Sequence, residues 1–295
     1  MIKQAIIPLA GLGTRLLPLT SVIPKELLPI NGRAGIEYIL DECVEAGIKE
    51  IIFIISKKKK MIKSYFYNDK FYKDIICIIS KKKMMIKNYF YNDKFYKDII
   101  KKKKDLRIVN EYKKILKYKK MIKFVYQKKP LGTGDAVLQA KKLIKKNYFL
   151  MLLPDDLIIK NNCSKSMIKI HKKYNSSVMA SMMVNKKTVS RWGIYDINKK
   201  INKDNFIIRN VIEKPNTKSA PSNNAVIGRY ILPKTIFNKI QKLKPGKGNE
   251  IHITDAIQLL INDGKKFIGH NFSGKYLDCG TMKGYINSSV EISKI

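Results

Sequence analysis

Residues near the start of the chain have the types and the spacing of a phosphate-binding loop. The segment Ala10-Gly-Leu-Gly-Thr-Arg15 follows a short apolar run, and Lys25 comes ten residues after the arginine. Glycines, which have no Cβ, let backbone N–H groups approach a ligand closely. An arginine can bind two phosphate oxygens at once, and a lysine adds a compact positive charge. The third glycine and the acidic residue of a dinucleotide fingerprint are missing, so hydride transfer is a poor interpretation.

Carboxylates in the middle and near the end of the chain are candidates for holding a divalent metal. Asp155 comes two residues after the apolar run 148–153, and Asp278 lies close to the C-terminus. α/β sheets place ligand sites beyond the carboxyl ends of their strands, and Mg²⁺ prefers hard oxygen donors. Asp156 is also acidic, so an assignment one residue along stays open. A turn or helix-capping role is the plain alternative for Asp155 and Asp278.

The elements that must position these residues alternate between strands and helices. Residues 5–9 and 51–55 have the continuous apolar character of strands buried on both faces, and 148–153 and 225–232 are further candidates. Between the first two strands, apolar residues fall at helical spacing over residues 36–44. This alternation predicts an α/β fold with a mainly parallel sheet covered on both sides.

An internal repeat interrupts this pattern, because residues 51–74 recur as residues 75–98. The two copies differ at only three positions: Phe53/Cys77, Lys60/Met84 and Ser64/Asn88. Two copies are too few for a solenoid, so the near-identity indicates a tandem duplication of a strand and the segment after it. We expect a single domain over residues 1–295, with 24 surplus residues that form a peripheral Lys-rich excursion or an extra edge strand.

The charge of the chain suggests a polyanion partner, but its composition favours another origin. The formal net charge of +37 on its own points to nucleic acid or an acidic membrane. Only six of the 60 basic residues are Arg, and the Lys surplus accompanies many Ile, Asn and Tyr residues, all with A/T-rich codons. Mutational bias therefore explains the charge better than selection for binding, and we do not expect a nucleic-acid partner.

Other features argue against several classes of protein. No apolar stretch approaches the roughly 20 residues that span a bilayer, and the first residues leave no room for a secretory signal. The four cysteines form no CxxC pair and the three histidines are scattered, which argues against a zinc site or a disulfide framework. We expect a cytoplasmic protein with no membrane partner, in which His171, His270 and Cys279 are not catalysts.

The phosphate-loop segment and several later islands closely resemble one enzyme family. Residues 5–18 and 23–29 resemble the signature of the bacterial UTP–glucose-1-phosphate uridylyltransferases, within the sugar nucleotidyltransferases. Further islands follow in the family order: Gln127 with 131–137, 153–155, 192–193, 211–215, 220–223, 228–230, 250–256 and 277–280. The resemblance implies a three-layer α/β/α nucleotidyltransferase fold, Rossmann-like, with a mixed, mainly parallel central sheet.

The resemblance also implies an activity and its partners. The enzyme would transfer the uridylyl group of UTP to glucose 1-phosphate, giving UDP-glucose and pyrophosphate by in-line attack, with Mg²⁺ as cofactor and no covalent intermediate. Relatives form dimers or tetramers, so a homo-oligomer is expected. Two alternatives stay open: a relative that uses another base or sugar, such as dTTP, and a catalytically silent regulatory or polyanion-binding relative. Intact Thr14, Arg15 and Lys25 argue against the silent relative.

Finally, the resemblance assigns roles to individual residues. The residues implied to bind the nucleotide are Ala10, Gly11, Gly13, Thr14, Gln127 and Gly132, and those implied to bind the sugar phosphate are Gly193, Glu213, Lys214 and Asn223. Arg15 and Lys25 would be catalytic, because phosphoryl-type transfer depends on positioning and charge stabilisation. Asp155 and Asp278 would hold the magnesium ion. Gln127 would meet the uracil edge, and many relatives have His where this chain has Asp135, which leaves the choice of base open.

Overall fold

The structure is a computed structural model that describes residues 2–67 and 106–295. It divides into two compact units, each described by itself below. The larger unit comprises the chain up to Lys57 together with Lys123–Ile295, and the smaller unit is Lys58–Ile122. Helices and strands are numbered here along the described residues.

Strands make up the centre of the fold. The strands are β1 (Gln4–Pro8), β2 (Pro29–Ile30), β3 (Arg33–Ala34), β4 (Glu50–Ile55), β5 (Ile122–Tyr126), β6 (Tyr148–Leu152), β7 (Asp156–Ile159), β8 (Ser177–Met183), β9 (Gly193–Lys200), β10 (Asn205–Glu213), β11 (Asn224–Pro233), β12 (Phe267–Asn271) and β13 (Lys275–Asp278). Nine of them form one sheet in the order β5-β4-β1-β6-β11-β8-β12-β10-β9, while β2 pairs with β3 and β7 with β13.

Helices alternate with these strands along the chain. The helices are α1 (Gly35–Glu45), α2 (Lys60–Tyr67), α3 (Leu106–Met121), α4 (Thr133–Gln139), α5 (Cys163–Tyr174), α6 (Ile236–Ile240), α7 (Ile253–Asn262) and α8 (Met282–Ser293). In the smaller unit, α2 and α3 pack against each other. Over residues 2–67 and 106–295, no helix has both the length and the apolar character that crossing a membrane requires.

The central sheet is mixed, as predicted. Strand β1 pairs in parallel with both β4 and β6, and β8 pairs in parallel with β12. Strand β11 and the β9–β10 hairpin add antiparallel pairings, so the antiparallel share is larger than expected for a mainly parallel sheet. The physical reason is the connection: only four residues join β9 to β10, and a link this short suits antiparallel but not parallel neighbours.

The strands of the parallel part are buried on both faces. Ala5, Ile6 and Ile7 of β1 are each 0% exposed, as is every residue of 51–55 in β4. Because successive side chains in a strand point to opposite faces, both faces must be covered. Apolar residues of α4, α6 and α7 join one face in a single core cluster. Helices α1 and α5 contact each other, and α5 also contacts β8 and β11. The arrangement agrees with the expected layered fold.

The first copy of the repeat supplies strand β4. Its residues 51–54 align in parallel with residues 5–8 of β1. The second copy, residues 75–98, lies outside the described residues, as does the first copy from residue 68 onward. The predicted excursion or extra edge strand therefore stays a prediction.

Candidate active site

The predicted phosphate loop lies at the carboxyl end of β1. Because β1 and β6 run in parallel, the loops that follow them, 10–15 and 153–156, emerge at the same edge of the sheet. Gln127 reaches this edge as well, because it follows β5 and its N–H donates to the carbonyl of Ile55 at the end of β4, at 2.9 Å. The topology alone thus collects three predicted segments.

Glycine and two anchored side chains shape the phosphate loop. Gly13 has a φ of +70°, in the left-handed region that favours glycine. Leu16 is fully buried, and the Thr20 hydroxyl donates to the Gly13 carbonyl at 2.8 Å. Among the described residues, and apart from its two chain neighbours, no atom lies within 4 Å of the position of a Cβ at Gly11, so the backbone there is open to a ligand. Arg15 is exposed.

A cleft of about 430 Å³ opens at this edge of the sheet. The predicted residues that line it are Ala10, Gly11, Thr14, Arg15, Lys25, Gln127, Gly132 and Asp155. Gly13 belongs to the same loop without lining the cleft. Residues predicted from the start and the middle of the chain are therefore brought together around one space.

Lys25 and Asp155 form an ion pair in the cleft. The Lys25 Nζ atom is 2.6 Å from Asp155 Oδ2, and the two side chains are 14% and 21% exposed. Burial by itself would raise the pKa of Asp155, but the charge and hydrogen bond of Lys25, with help from Arg15, hold that pKa below its usual range. Burial likewise opposes the charge of Lys25, yet Asp155 and Glu26 raise its pKa overall. Both groups are therefore charged at neutral pH.

Asp278 approaches Asp155 across Gly280. A Cβ at Gly280 would stand 2.9 Å from Asp155 Oδ2 and 3.1 Å from Asp278 Oδ1. The Gly280 N–H donates to Asp278 Oδ1 at 2.7 Å, and the Cys279 N–H donates to the Asp155 carbonyl at 2.8 Å. The two predicted metal ligands therefore border one cradle, the space that a side chain at residue 280 would occupy.

Asp156 is held by the protein rather than directed to the cleft. Its carboxylate accepts hydrogen bonds from the Tyr276 hydroxyl at 2.7 Å and from the Gly228 N–H at 2.8 Å. Burial raises the pKa of Asp156, and the neighbouring charge of Asp155 raises it further. Since both of its oxygens already have protein donors, the geometry favours Asp155 over Asp156 as the carboxylate that meets a ligand.

Arg229 fixes the backbone of the turn that carries both aspartates. Its guanidinium is fully buried and donates to the carbonyls of Leu153 at 3.2 Å and Asp156 at 2.6 Å. The carboxylate of Glu42 in α1 accepts from the same guanidinium, with its shortest contact at 2.8 Å. The turn is thus held on both sides of Asp155.

The predicted sugar-phosphate residues form a second group at the end of the β9–β10 hairpin. Gly193 pairs with Glu213, and a Cβ at Gly193 would stand 3.0 Å from Glu213 Oε2. Lys214 has a φ of +49°, and its N–H donates to the Trp192 carbonyl at 2.9 Å. Asn223 directly precedes β11, which also pairs with β9. These four predicted residues lie outside the lining of the 430 Å³ cleft.

Aromatic side chains connect this second group to the aspartate turn. Trp192 packs edge-to-face on Tyr276 with ring centroids 5.6 Å apart, and the Tyr276 hydroxyl binds Asp156. Burial raises the pKa of Tyr230, and the charges of Asp156 and Glu213 raise it further, so both carboxylates act on one buried tyrosine. The second group therefore lies beside the turn rather than apart from it.

Comparison with known proteins identifies the family. The sequence profile of the family described as nucleotidyl transferase matches residues 4–295. The chain belongs to this nucleotidyltransferase family. A Streptococcus pyogenes protein named UTP–glucose-1-phosphate uridylyltransferase 2 is 33% identical over 295 residues, which cover 98% of this chain and 90% of that protein. A Methanocaldococcus jannaschii protein, provisionally named as the same enzyme, is 36% identical, with 99% of this chain and 93% of that protein covered.

Solved structures of the family agree. A UDP-glucose pyrophosphorylase crystallised with UDP-glucose superposes with a TM-score of 0.81 at 33% identity, covering 100% of this chain and 99% of that one. A UTP-bound enzyme from Acinetobacter baumannii gives a TM-score of 0.81 at 30% identity, covering 99% and 93%. The part of the chain that the structure describes therefore has the nucleotidyltransferase fold.

Three residues of this nucleotidyltransferase site had no predicted role: Tyr276, Arg229 and Glu42. Tyr276 lies two residues before Asp278 in a strand, and side chains at i and i+2 share a face, so alternation could have found it. Arg229 belongs to a motif island, but nothing in the sequence says that it faces inward. Its partner Glu42 lies on another element far away in the chain, which only the fold brings close.

Gly132 has a conformational and a packing reason to be glycine. A Cβ there would stand 2.7 Å from the carbonyl oxygen of Ile251, and the residue has a φ of +96°. The Gly134 N–H donates to the same carbonyl at 2.7 Å. The backbone of the segment 250–251 therefore packs closely against Gly132. Its role in nucleotide binding stays a prediction.

The scattered histidines and the cysteine near Asp278 have ordinary surroundings. The His171 and His270 Nδ1 atoms contact the Ser176 carbonyl at 2.8 Å and Asn205 Oδ1 at 3.0 Å. Burial raises the pKa of Cys279 to about 12, so its thiol stays protonated. In the described part of the chain, no group of three or more His, Cys, Asp or Glu side chains could hold a metal by itself.

Proposed function

We propose that this chain transfers the uridylyl group of UTP to glucose 1-phosphate, producing UDP-glucose and pyrophosphate. The proposal rests on the convergence of Arg15, Lys25 and Asp155 on one cleft in a chain of the nucleotidyltransferase family. Relatives at 33% identity carry the name of this activity, and one structural neighbour holds UDP-glucose.

The triphosphate of UTP lies along the phosphate loop in this proposal. The open space at Gly11 admits phosphate oxygens to the backbone N–H groups. Arg15 at the rim and Lys25 inside the cleft neutralise the transferring and leaving phosphates. A lysine ammonium has three donors, and over residues 2–67 and 106–295 Lys25 Nζ uses one of them, on Asp155. The remaining donors are available to phosphate.

The carboxylates of Asp155 and Asp278 suit a magnesium ion. Mg²⁺ binds through one or two carboxylates and completes its shell with waters and substrate phosphates, so a pair without further protein ligands fits. Both carboxylates border the space beside Gly280 that a Cβ would fill, which supports this assignment. When bound there, the ion supplies charge neutralisation for the phosphates and a template for their orientation.

The second group holds glucose 1-phosphate. Lys214 provides positive charge for its phosphate, and Glu213 accepts hydrogen bonds from sugar hydroxyls. A left-handed backbone costs a non-glycine residue of order 1–3 kcal/mol and persists where surrounding structure imposes it. At Lys214 the N–H bond to Trp192 holds that conformation, which supports a functional position for the side chain.

The reaction requires no general base from the protein. A phosphate oxygen of glucose 1-phosphate forms a bond to the α-phosphorus of UTP, while the bond from that phosphorus to the bridging oxygen breaks. The electron pair leaves with pyrophosphate. Catalysis then consists of positioning and of charge stabilisation by Arg15 and Lys25. The lowered pKa of Asp155 keeps its carboxylate ionised, which is the form that would hold the magnesium ion.

The test is pyrophosphate release from UTP, glucose 1-phosphate and Mg²⁺ by the purified full chain. A panel with dTTP, CTP, ATP and GTP, and with other sugar phosphates, defines the base and the sugar. We expect the highest kcat/KM with UTP and glucose 1-phosphate. Folded protein without release above background would reject the proposal and favour a silent relative, and a preference for dTTP would reject the assigned base. The cytoplasmic, homo-oligomeric state stays a prediction.

A further inference from the structure

The amide of Gln127 is fixed in one orientation by two acceptors. Its side chain is 3% exposed and lines the cleft. The Nε2 atom donates to Asp135 Oδ2 at 2.7 Å and to the Gly132 carbonyl at 3.3 Å. A flipped amide would bring its own carbonyl oxygen against these two acceptors, so the hydrogen-bond network itself decides the orientation.

In this orientation the Gln127 side chain offers a ligand only its carbonyl oxygen, Oε1. Both hydrogens of the Gln127 amide point to Asp135 and Gly132. Among residues 2–67 and 106–295, no donor reaches Gln127 Oε1. The side chain therefore presents an acceptor, and not a donor, to a molecule in the cleft.

Asp135 is itself held in place. It lies in the first turn of α4, where a negative charge is favourable. Its second carboxylate oxygen, Oδ1, accepts from Gln139 Nε2 at 3.1 Å, four residues along the same helix. The carboxylate thus has one oxygen tied to its own helix and the other tied to Gln127.

We propose that Asp135 is a positioning residue that selects the base, by holding Gln127 so that its oxygen can pair with an N–H at position 3 of a pyrimidine. The inference rests on the proposed function and on the role that the family resemblance implies for Gln127, which is to meet the base. Uracil and thymine carry an N–H at position 3, whereas cytosine has a lone pair there and would face the Gln127 oxygen acceptor to acceptor. A site built to accept a hydrogen bond rejects a partner that lacks the donor, because a buried polar group is then left unpaired.

The experiment compares wild type, Asp135→Ala and Asp135→Asn by kcat/KM with UTP, dTTP and CTP. In Asp135→Ala the Gln127 amide keeps only the 3.3 Å bond to the Gly132 carbonyl, so its orientation is held less tightly. We expect the UTP-to-CTP ratio to fall at least about tenfold, the size of one unsatisfied buried group. The UTP-to-dTTP ratio is the internal control and stays unchanged, because both bases carry the N–H. Asp135→Asn still offers an oxygen to Gln127 and keeps most of the selectivity.

The outcomes distinguish a positioning role of Asp135 from a merely structural one. They also distinguish a failure of this inference from a failure of the proposed function. A merely destabilising change lowers the melting temperature or all three kcat/KM values together and leaves the ratios unchanged, which would overturn the inference. Equal losses of selectivity in Asp135→Asn and Asp135→Ala would also overturn it. If Asp135→Ala does not fold, Asp135→Ser keeps a polar residue in the first helical turn and takes the same test. If the wild-type protein makes no UDP-glucose, the proposed function itself is rejected.

Discussion

Two ion pairs hold the same turn, and they differ in how many of their hydrogen-bond donors and acceptors have protein partners. Arg229 and Glu42 lie in the core, with side chains 0% and 6% exposed. Lys25 and Asp155 lie in the cleft, with side chains 14% and 21% exposed. The guanidinium of Arg229 serves both oxygens of Glu42 and three backbone carbonyls. Lys25, in the described part of the chain, donates only to Asp155.

The difference separates a structural pair from a pair prepared for a ligand. A buried charge is tolerated when every donor and acceptor is satisfied, which is the state of Arg229. A pair in a cleft can leave donors unused, because water replaces the missing partners until a ligand arrives. We infer that the core pair sets the position of Asp155, while the cleft pair provides the charge that phosphates need. The predictions below test this division in order of decreasing effect on free energy.

The largest effect is expected for Arg229→Met. It leaves the Glu42 carboxylate buried without its partner, which costs about 3–5 kcal/mol in the free energy of unfolding. Urea denaturation measures the loss. The double variant Arg229→Met with Glu42→Gln removes the unpaired charge and should recover part of it. Equal destabilisation of the single and double variants would contradict the assigned reason.

Lys25→Ala and Asp155→Asn should act on turnover instead of stability. Lys25→Ala removes a positive charge that faces the phosphates, and Asp155→Asn removes a carboxylate that would hold the magnesium ion. We expect each to lose at least about 100-fold in kcat for UDP-glucose formation. Lys199→Ala, at an exposed lysine of β9, is the matched control and should keep wild-type turnover. Steady-state kinetics with UTP and glucose 1-phosphate decide the result. Near-normal kcat in either site variant would reject the role given to that residue.

Tyr276→Phe tests the link between the two groups of site residues. The hydroxyl donates to Asp156 Oδ1 at 2.7 Å, and a hydrogen bond to a charged group contributes about 1.5–3 kcal/mol. The variant should lose that much unfolding free energy while keeping the ring contact with Trp192. Thermal denaturation of Tyr276→Phe beside Tyr285→Phe, whose hydroxyl bonds the Pro29 carbonyl in an exposed position, provides the comparison. No difference between the two variants would count against a special role for Asp156.

The smallest effect is expected for the surface pair of Lys123 and Glu50, whose charged atoms are 2.7 Å apart. Burial would raise the pKa of Glu50, but hydrogen bonds from Lys123 and Gln4 lower it overall. Because the folded pKa is the lower one, the pair stabilises above the unfolded value of about 4.3 and stops doing so as the pH falls through the folded value.

Lys123→Ala should therefore cost less than about 1 kcal/mol at pH 7 and almost nothing in strong acid or high salt. Unfolding curves at pH 7 and pH 3, with and without salt, measure it. If Lys123→Ala cost as much unfolding free energy as Arg229→Met, solvent exposure would not explain the difference between surface and buried ion pairs.

Local sequence was enough for four of the strands, for the first helix and for the order of the motifs. Continuous apolar runs predicted β1, β4 and β6, because a strand covered on both faces has no polar side. The parallel start of the sheet then brought loops 10–15 and 153–156 to one edge. The larger antiparallel share was not predicted, since the pairing partner of a strand such as β11 depends on distant segments that apolar runs do not identify.

The residue types that suit phosphate and metal chemistry could be identified from the amino-acid sequence, because types and spacing are local properties. Which of these residues meet depends on the fold: Asp278 lies beside Asp155 across Gly280, Asp156 binds Tyr276, and Asp135 binds Gln127. Those contacts depend on the direction of each side chain within a few ångströms. That direction is set by packing between elements far apart in the chain, and no local pattern records it.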